Sequence, residues 1–118
     1  MTPLTKNDLY NFTGTEHYYQ HPLFPRYKFT DGVHHVVDKG MALWLLTKIL
    51  SLTPTLPEKV SRFGVWKLKK HEDESADLIC EDGNCKEVYR EKIDYTDFPL
   101  DEIEFWMEGE VLILPSEH

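Results

Sequence analysis

The stretch Ala76-Asp77-Leu78-Ile79-Cys80-Glu81-Asp82-Gly83-Asn84-Cys85-Lys86-Glu87-Val88-Tyr89-Arg90 decides how the fold is read. Ala76, Leu78 and Cys80 alternate with Asp77, Ile79 and Glu81, a period of two that sends successive side chains to opposite faces of a strand. Asp82-Gly83 is a turn signal, and Val88 to Ile93 resumes the extended pattern, so the stretch predicts a β-hairpin. The same period continues on both sides. Upstream, Arg62 to Lys70 alternates loosely, with Phe63 and Val65 set against Trp66 and Leu68. Downstream, Ile103, Phe105 and Met107 alternate with Glu104, Trp106 and Glu108, and Glu108-Gly109-Glu110 turns into Val111-Leu112-Ile113-Leu114. Residues 62–114 therefore predict an antiparallel meander of about five strands.

Before residue 62 the period is helical. Asp31 offers an N-cap, and the segment from Gly32 to Leu52 reads as one long helix, with Val33, Val37, Met41 and Trp44 on one stripe. Its second half is apolar nearly all round, which predicts burial on several sides or a homodimer contact through Leu43 to Leu52. Thr5 with Asp8 suggests a short N-terminal helix over 5–11. Between them, Thr15 to Pro25 is expected to be extended, because His21 and Phe24 each precede a proline. Helices first and strands afterwards predict an α+β fold, the meander packed against the helix at 32–52, as a single domain over 1–118.

Composition narrows the class. The apolar fraction is 41% and the aromatic fraction 13%, which excludes a disordered chain. No apolar run approaches the ~18 residues of a membrane span, and Met1-Thr2-Pro3-Leu4 lacks the features of a secretory leader, so a cytoplasmic protein is expected. Cys80 and Cys85 lack further strong ligands for zinc. An Asp82-Gly83 turn of type I′ is expected to set them opposite one another as two reduced thiols.

The runs Phe12-Thr13-Gly14-Thr15-Glu16, Tyr19-Gln20-His21-Pro22-Leu23, Thr30-Asp31-Gly32-Val33, Trp44-Leu45-Leu46 and Val65-Trp66-Lys67-Leu68 point further. So do Asp82-Gly83-Asn84, Tyr95-Thr96-Asp97-Phe98-Pro99-Leu100-Asp101-Glu102-Ile103 and the ending Leu114-Pro115-Ser116-Glu117. In this order, along essentially the whole chain, they resemble a family of small bacterial and mobile-element proteins known only as a domain of unknown function. The resemblance implies a single full-length domain. It implies no reaction, ligand or partner.

Two candidate sites emerge from the residues. Net charge is −8, yet the first 92 residues hold 13 acidic and 13 basic side chains, and no Lys or Arg follows Lys92. Alternation puts Glu102, Glu104, Trp106 and Glu108 on one face of a strand. This acidic strip suits a basic protein partner, or a nucleic-acid-binding protein whose phosphate ligand it would imitate. The plainer reading is a solubilising face whose acids pair with Lys67, Lys69 and Arg90. Direct nucleic-acid binding is disfavoured by the charge, and no phosphate-loop pattern surrounds Gly32 or Gly40. The second candidate is the Tyr/His-rich segment Glu16 to His21. His17 and His21 would share a metal on a helix, but on a strand they stand about 13 Å apart at ~3.3 Å per residue. An enzyme would combine Glu16, His17, His21 and His34, the last oriented by Asp38 one helical turn on. The sequence thus favours a non-enzymatic binding or regulatory protein without a cofactor, over a small enzyme or metal-binding protein.

Overall fold

The computed structural model describes residues 18–40 and 42–117. The helix expected at 5–11 lies outside the described residues, as do Glu16 and His17. Seven strands, β1 (Tyr18–His21), β2 (Phe24–Thr30), β3 (Phe63–Lys70), β4 (Ala76–Asp82), β5 (Glu87–Ile93), β6 (Glu102–Glu108) and β7 (Val111–Ile113), form one sheet. Their order across it is β1-β2-β7-β6-β3-β4-β5. Helices α1 (Asp31–Lys39), α2 (Leu43–Leu52) and α3 (Glu58–Arg62) lie between β2 and β3 in the chain.

This corrects the expected fold in three ways. The sheet has seven strands instead of five. It is mixed, because β2 runs parallel to β7, with Lys28 opposite Val111 and Phe29 opposite Leu112. The strands from 62 onwards do not form a simple meander, since β6 pairs with β3 and not with β5. The cause of the last is the connection 94–101, too long for a tight hairpin turn. It passes along the end of the sheet, where Thr96 N–H donates to the Glu74 carbonyl at 2.8 Å and Lys70 N–H to the Asp101 carbonyl at 2.7 Å. Phe98, 1% exposed, and Lys70 Nζ, donating to the Phe98 carbonyl at 3.0 Å, fix its middle. The extended segment before Pro25 gains a role the sequence left blank. With its partner Phe24–Thr30 it makes a hairpin that extends the sheet.

The single long helix at 32–52 is also overturned. Gly40 ends α1, its N–H bonded to the Val36 carbonyl at 2.8 Å, and Ala42 leaves helical geometry at φ −112°, ψ 32° before α2 restarts. Gly40 is a poor interior helix residue, and here it marks the break. The break gives each half its own footing. α1 packs on β1, β2 and β7, while α2 contacts β2 and ties itself to β5 through Lys48 and Glu91. Leu45, Leu46, Ile49 and Leu50 of α2 are buried, and Trp44 and Leu52 pack against the same core, so much of the all-round apolar surface is used internally. Leu43 stays 58% exposed.

The core lies on one sheet face. Trp66 and Leu68 of β3, Leu78 and Cys80 of β4, Phe105 and Met107 of β6, and Tyr27 and Phe29 of β2 meet the α1 and α2 side chains there. Two glycines are placed by close approach. A β-carbon at Gly64 would sit 2.7 Å from Val60 Cγ1 and 2.8 Å from the Val60 carbonyl, so glycine lets α3 fold onto β3. At Gly32 it would sit 2.5 Å from Glu117 Oε1, because that carboxylate caps α1. Glu117 accepts from Thr30 Oγ1 (2.6 Å), Gly32 N–H (3.2 Å) and Leu114 N–H (3.0 Å), joining the last residues of the described chain to the helix N-terminus.

Candidate functional site

The predicted acidic strip exists as a row on the sheet face opposite the core, but lysines stand directly across from it. Lys69 is opposite both Glu102 and Asp77, and Lys67 is opposite Glu104. Lys67 bonds Glu81 at 3.1 Å, which raises its pKa above the usual lysine value. Arg90 bonds Asp77 at 3.2 Å and Glu87 at 2.8 Å. Trp106 is half-buried: its ring meets Phe63 edge-on at 5.7 Å and its Nε1–H donates to Glu104 at 2.6 Å. Glu102 and Glu108 are exposed. The strip's centre is therefore electrically compensated. Pairing of this kind adds little stability on a surface but does remove net field.

Acids outnumber cations at one end of the sheet. The turn between β3 and β4 exposes Glu72, Asp73 and Glu74, and the 94–101 connection exposes Asp94, Asp97 and Asp101, with Glu102 following. The two segments are stitched together by Thr96 N–H on the Glu74 carbonyl. Tyr95, 68% exposed, stands among them. Of the nearby cations, Lys70 is committed to Glu74 at 2.9 Å and His71 faces Asp77 at 3.2 Å. Local bonding helps keep one acid charged: Ser75 donates hydroxyl and backbone N–H to Asp73, holding its carboxyl below the usual range. Sequence reasoning missed this end because its two halves lie about 20 positions apart, and only the strand crossover brings them together.

Of the alternative site, the described residues are His21, His34 and Asp38. His21 is buried, and both its ring nitrogens are engaged: Leu23 N–H reaches Nδ1 at 3.0 Å and Thr47 Oγ1 lies 3.2 Å from Nε2. His34 is exposed and stacks on Tyr19 at 4.2 Å between ring centroids. Asp38 is exposed on the next turn of α1. His34 and Asp38 thus sit on the surface of α1, and His17 and Glu16 lie outside the described residues. Among the described residues no group of three or more His, Cys, Asp or Glu side chains is placed to hold a metal.

The cysteines are apart as well. The β4–β5 loop has three residues, Gly83, Asn84 and Cys85, closed by Asp82 N–H on the Lys86 carbonyl at 2.9 Å. Cys85 sits at φ +64°, the left-handed residue that follows a type I turn in such loops. Asp82 selects this longer turn, since its carboxylate accepts from Asn84 N–H at 2.9 Å and Lys86 N–H at 3.0 Å. Cys80 consequently faces Tyr89 and not Cys85. Burial pushes the Cys80 thiol up to about 12, leaving it no thiolate character at neutral pH. Under α2, a further cluster joins Lys48, Glu91 and Tyr89, both contacts to Glu91 measuring 2.5 Å. The hydrogen bond to Glu91 and burial push the Tyr89 hydroxyl up to about 12.

No helix of the described chain is long and apolar enough to cross a membrane. No curated protein and no solved structure matches the chain at a significant level. A family match does span it, covering residues 3–118, and the chain accordingly belongs to the family of unknown function DUF6876.

Proposed function

We propose that this chain is a small non-enzymatic binding or regulatory protein that engages a basic partner through the acidic end of its sheet. The observation that supports this reading is the exposure of Glu72, Asp73, Glu74, Asp94, Asp97, Asp101 and Glu102 on two segments bonded to each other. Carboxylates that outnumber the cations beside them steer a positively charged surface towards them and set its orientation. A protein that normally grips phosphates is one such partner. Exposed Tyr95 in the middle of the acids supplies the flat amphipathic contact typical of an interface centre. The sheet face around Glu104 and Trp106 takes a secondary part, because Lys67 and Lys69 already answer its charge. We place this activity in the cytoplasm, in the bacterial and mobile-element setting that the resemblance suggests, with the chain acting as one domain.

The test is affinity capture from such a host, comparing the natural chain with an Asp94→Asn, Asp97→Asn, Glu102→Gln variant. A second variant, Glu58→Gln, Glu87→Gln, Glu110→Gln, removes three carboxylates elsewhere. The expected result is a partner held by the natural chain and the second variant, lost by the first, and released as salt shortens the screening length. Equal capture by both variants refutes the reading.

A further inference from the structure

His21 is the buried histidine of the described chain, and the binding reading makes no use of it. Its protonation state follows from its partners. A backbone N–H can only donate, so the Leu23 N–H at 3.0 Å requires a lone pair on Nδ1. The ring proton then sits on Nε2, 3.2 Å from Thr47 Oγ1. One imidazole thereby makes two joints: Nδ1 closes the Pro22-Leu23 turn between β1 and β2, and Nε2 fastens that hairpin to α2. Among the described residues, no carboxylate bonds the ring. β2 contributes Phe24, its ring tilted 49° at 5.2 Å, and α2 contributes the Thr47 hydroxyl. The nearest charged residues along these elements are turned elsewhere, Arg26 to Glu110 and Lys48 to Glu91.

A proton added at Nδ1 converts the acceptor into a donor pointing at the Leu23 N–H, and no carboxylate of the described residues bonds the ring to accept it. We infer that His21 is an acid-released clip: the neutral ring holds the tip of the β1–β2 hairpin on α2, and protonation lets it go. Leu23 at the tip is 73% exposed, and Leu43, one turn before Thr47, is 58% exposed. Release therefore adds the Thr47 side of α2 to an apolar surface already half formed. The device stands independently of the acidic end.

The experiment is amide hydrogen exchange by NMR on the full chain at about pH 7.5 and about pH 5.5, either side of the ordinary imidazole range. Protection factors are corrected for the intrinsic pH dependence of exchange. Protection of the Leu23 amide should fall about tenfold or more, while Leu68 and Leu78 in the central strands keep theirs. His21→Asn places an oxygen where Nδ1 stood, accepts from the amide two residues on, and does not titrate, so its Leu23 protection should be the same at both pH values. Unchanged Leu23 protection in the natural chain overturns the inference. So does an equal pH-dependent loss in His21→Asn, or loss at Leu68 and Leu78 together with Leu23. Should the Asn side chain fail to protect Leu23 at either pH, the imidazole nitrogen shifts of the natural chain decide. They must pass from the Nε2–H form to the doubly protonated ring over the interval in which Leu23 protection falls, and a mismatch overturns the clip.

Discussion

Substituting Gly32 should cost more with Glu117 in place than without it. Glu117 serves three donors, Thr30 Oγ1–H, Gly32 N–H and Leu114 N–H, all on buried residues. A hydrogen bond to a charged acceptor contributes about 1.5 kcal/mol or more, and partial access of water to the half-exposed Glu117 reduces the sum. Glu117→Ala should therefore cost about 2–3 kcal/mol, or roughly 10 °C in Tm for a chain of this size. Gly32→Ala reaches the same cap from the other side. Its β-carbon would stand 2.5 Å from Glu117 Oε1 and 2.7 Å from Leu114 Cδ1, and the carboxylate, as the free end of a flexible side chain, is what gives way. The cost should again be about 2 kcal/mol. Once Glu117 is Ala, no carboxylate remains to displace but the contact with buried Leu114 does, so Gly32→Ala should cost clearly less than in the natural chain. Thermal and urea denaturation of the two single variants and the double variant closes the cycle. A Tm loss under about 2 °C for Glu117→Ala, or additive costs in the double variant, refutes the cap.

Cys85→Gly should stabilise by about 1 kcal/mol, read as a raised denaturation midpoint, because the left-handed φ of +64° costs a side-chain-bearing residue and not glycine. Tyr27→Phe should be neutral or stabilising by about 1 kcal/mol in the same assay, since the Tyr27 hydroxyl is buried without a hydrogen-bond partner among the described residues. The backbone N–H groups of Lys86 and Asn84, with Lys59 Nζ at 3.2 Å, hold the Asp82 carboxyl below the usual range. A depressed folded value means this contribution is complete above the unfolded carboxylate range and is lost as pH falls through the folded value. Asp82→Asn should thus differ most from the natural chain near neutrality, with the gap closing in acid. Tyr89, pushed up to about 12, should titrate above the ordinary tyrosine range by ultraviolet absorbance. Its stabilising share is present below the ordinary tyrosine range and lost as pH rises towards 12, and Glu91→Gln should bring the titration back down.

The strand segments of the second half were legible because alternation there is regular and the turns carry glycine. Ala76–Asp82 and Glu102–Glu108 lie where the period of two put them. What the sequence hid was partnership. Nothing in the run from Asp94 to Asp101 announces that β6 crosses to β3, since its anchors, Thr96 on Glu74 and Asp101 on Lys70, are long-range backbone bonds. In the first half, Pro22 and Pro25 marked the chain up to residue 25 as extended, but nothing in the sequence pointed to its partner strand Phe24–Thr30. The long helix was over-read for the opposite reason. The apolar stripe runs straight through Gly40, and the stripe outweighed the glycine. The acidic strip lies along β6, and Lys67 and Lys69 of β3 stand across from it, as the plainer reading of the sequence had them.

The strings on which the family resemblance rests turn out to hold the structure together. Thr96 to Leu100 straps the end of the sheet, with Thr96, Phe98 and Leu100 buried and the Phe98 N–H on Thr96 Oγ1 at 3.1 Å. Asp82-Gly83-Asn84 closes the β4–β5 loop, and Leu114 to Glu117 caps α1. Membership in the family therefore speaks first to the fold, because the residues that betray it are spent on backbone donors and buried side chains. Asp97 and Pro99 are solvent-facing and alternate along the strap with the buried Thr96, Phe98 and Leu100 that fix it, and exposed Asp94 and Tyr95 lead into it. A strap pinned at every second residue presents the others on a rigid line. That is the arrangement a recognition surface needs if its affinity is not to be spent on ordering a loop.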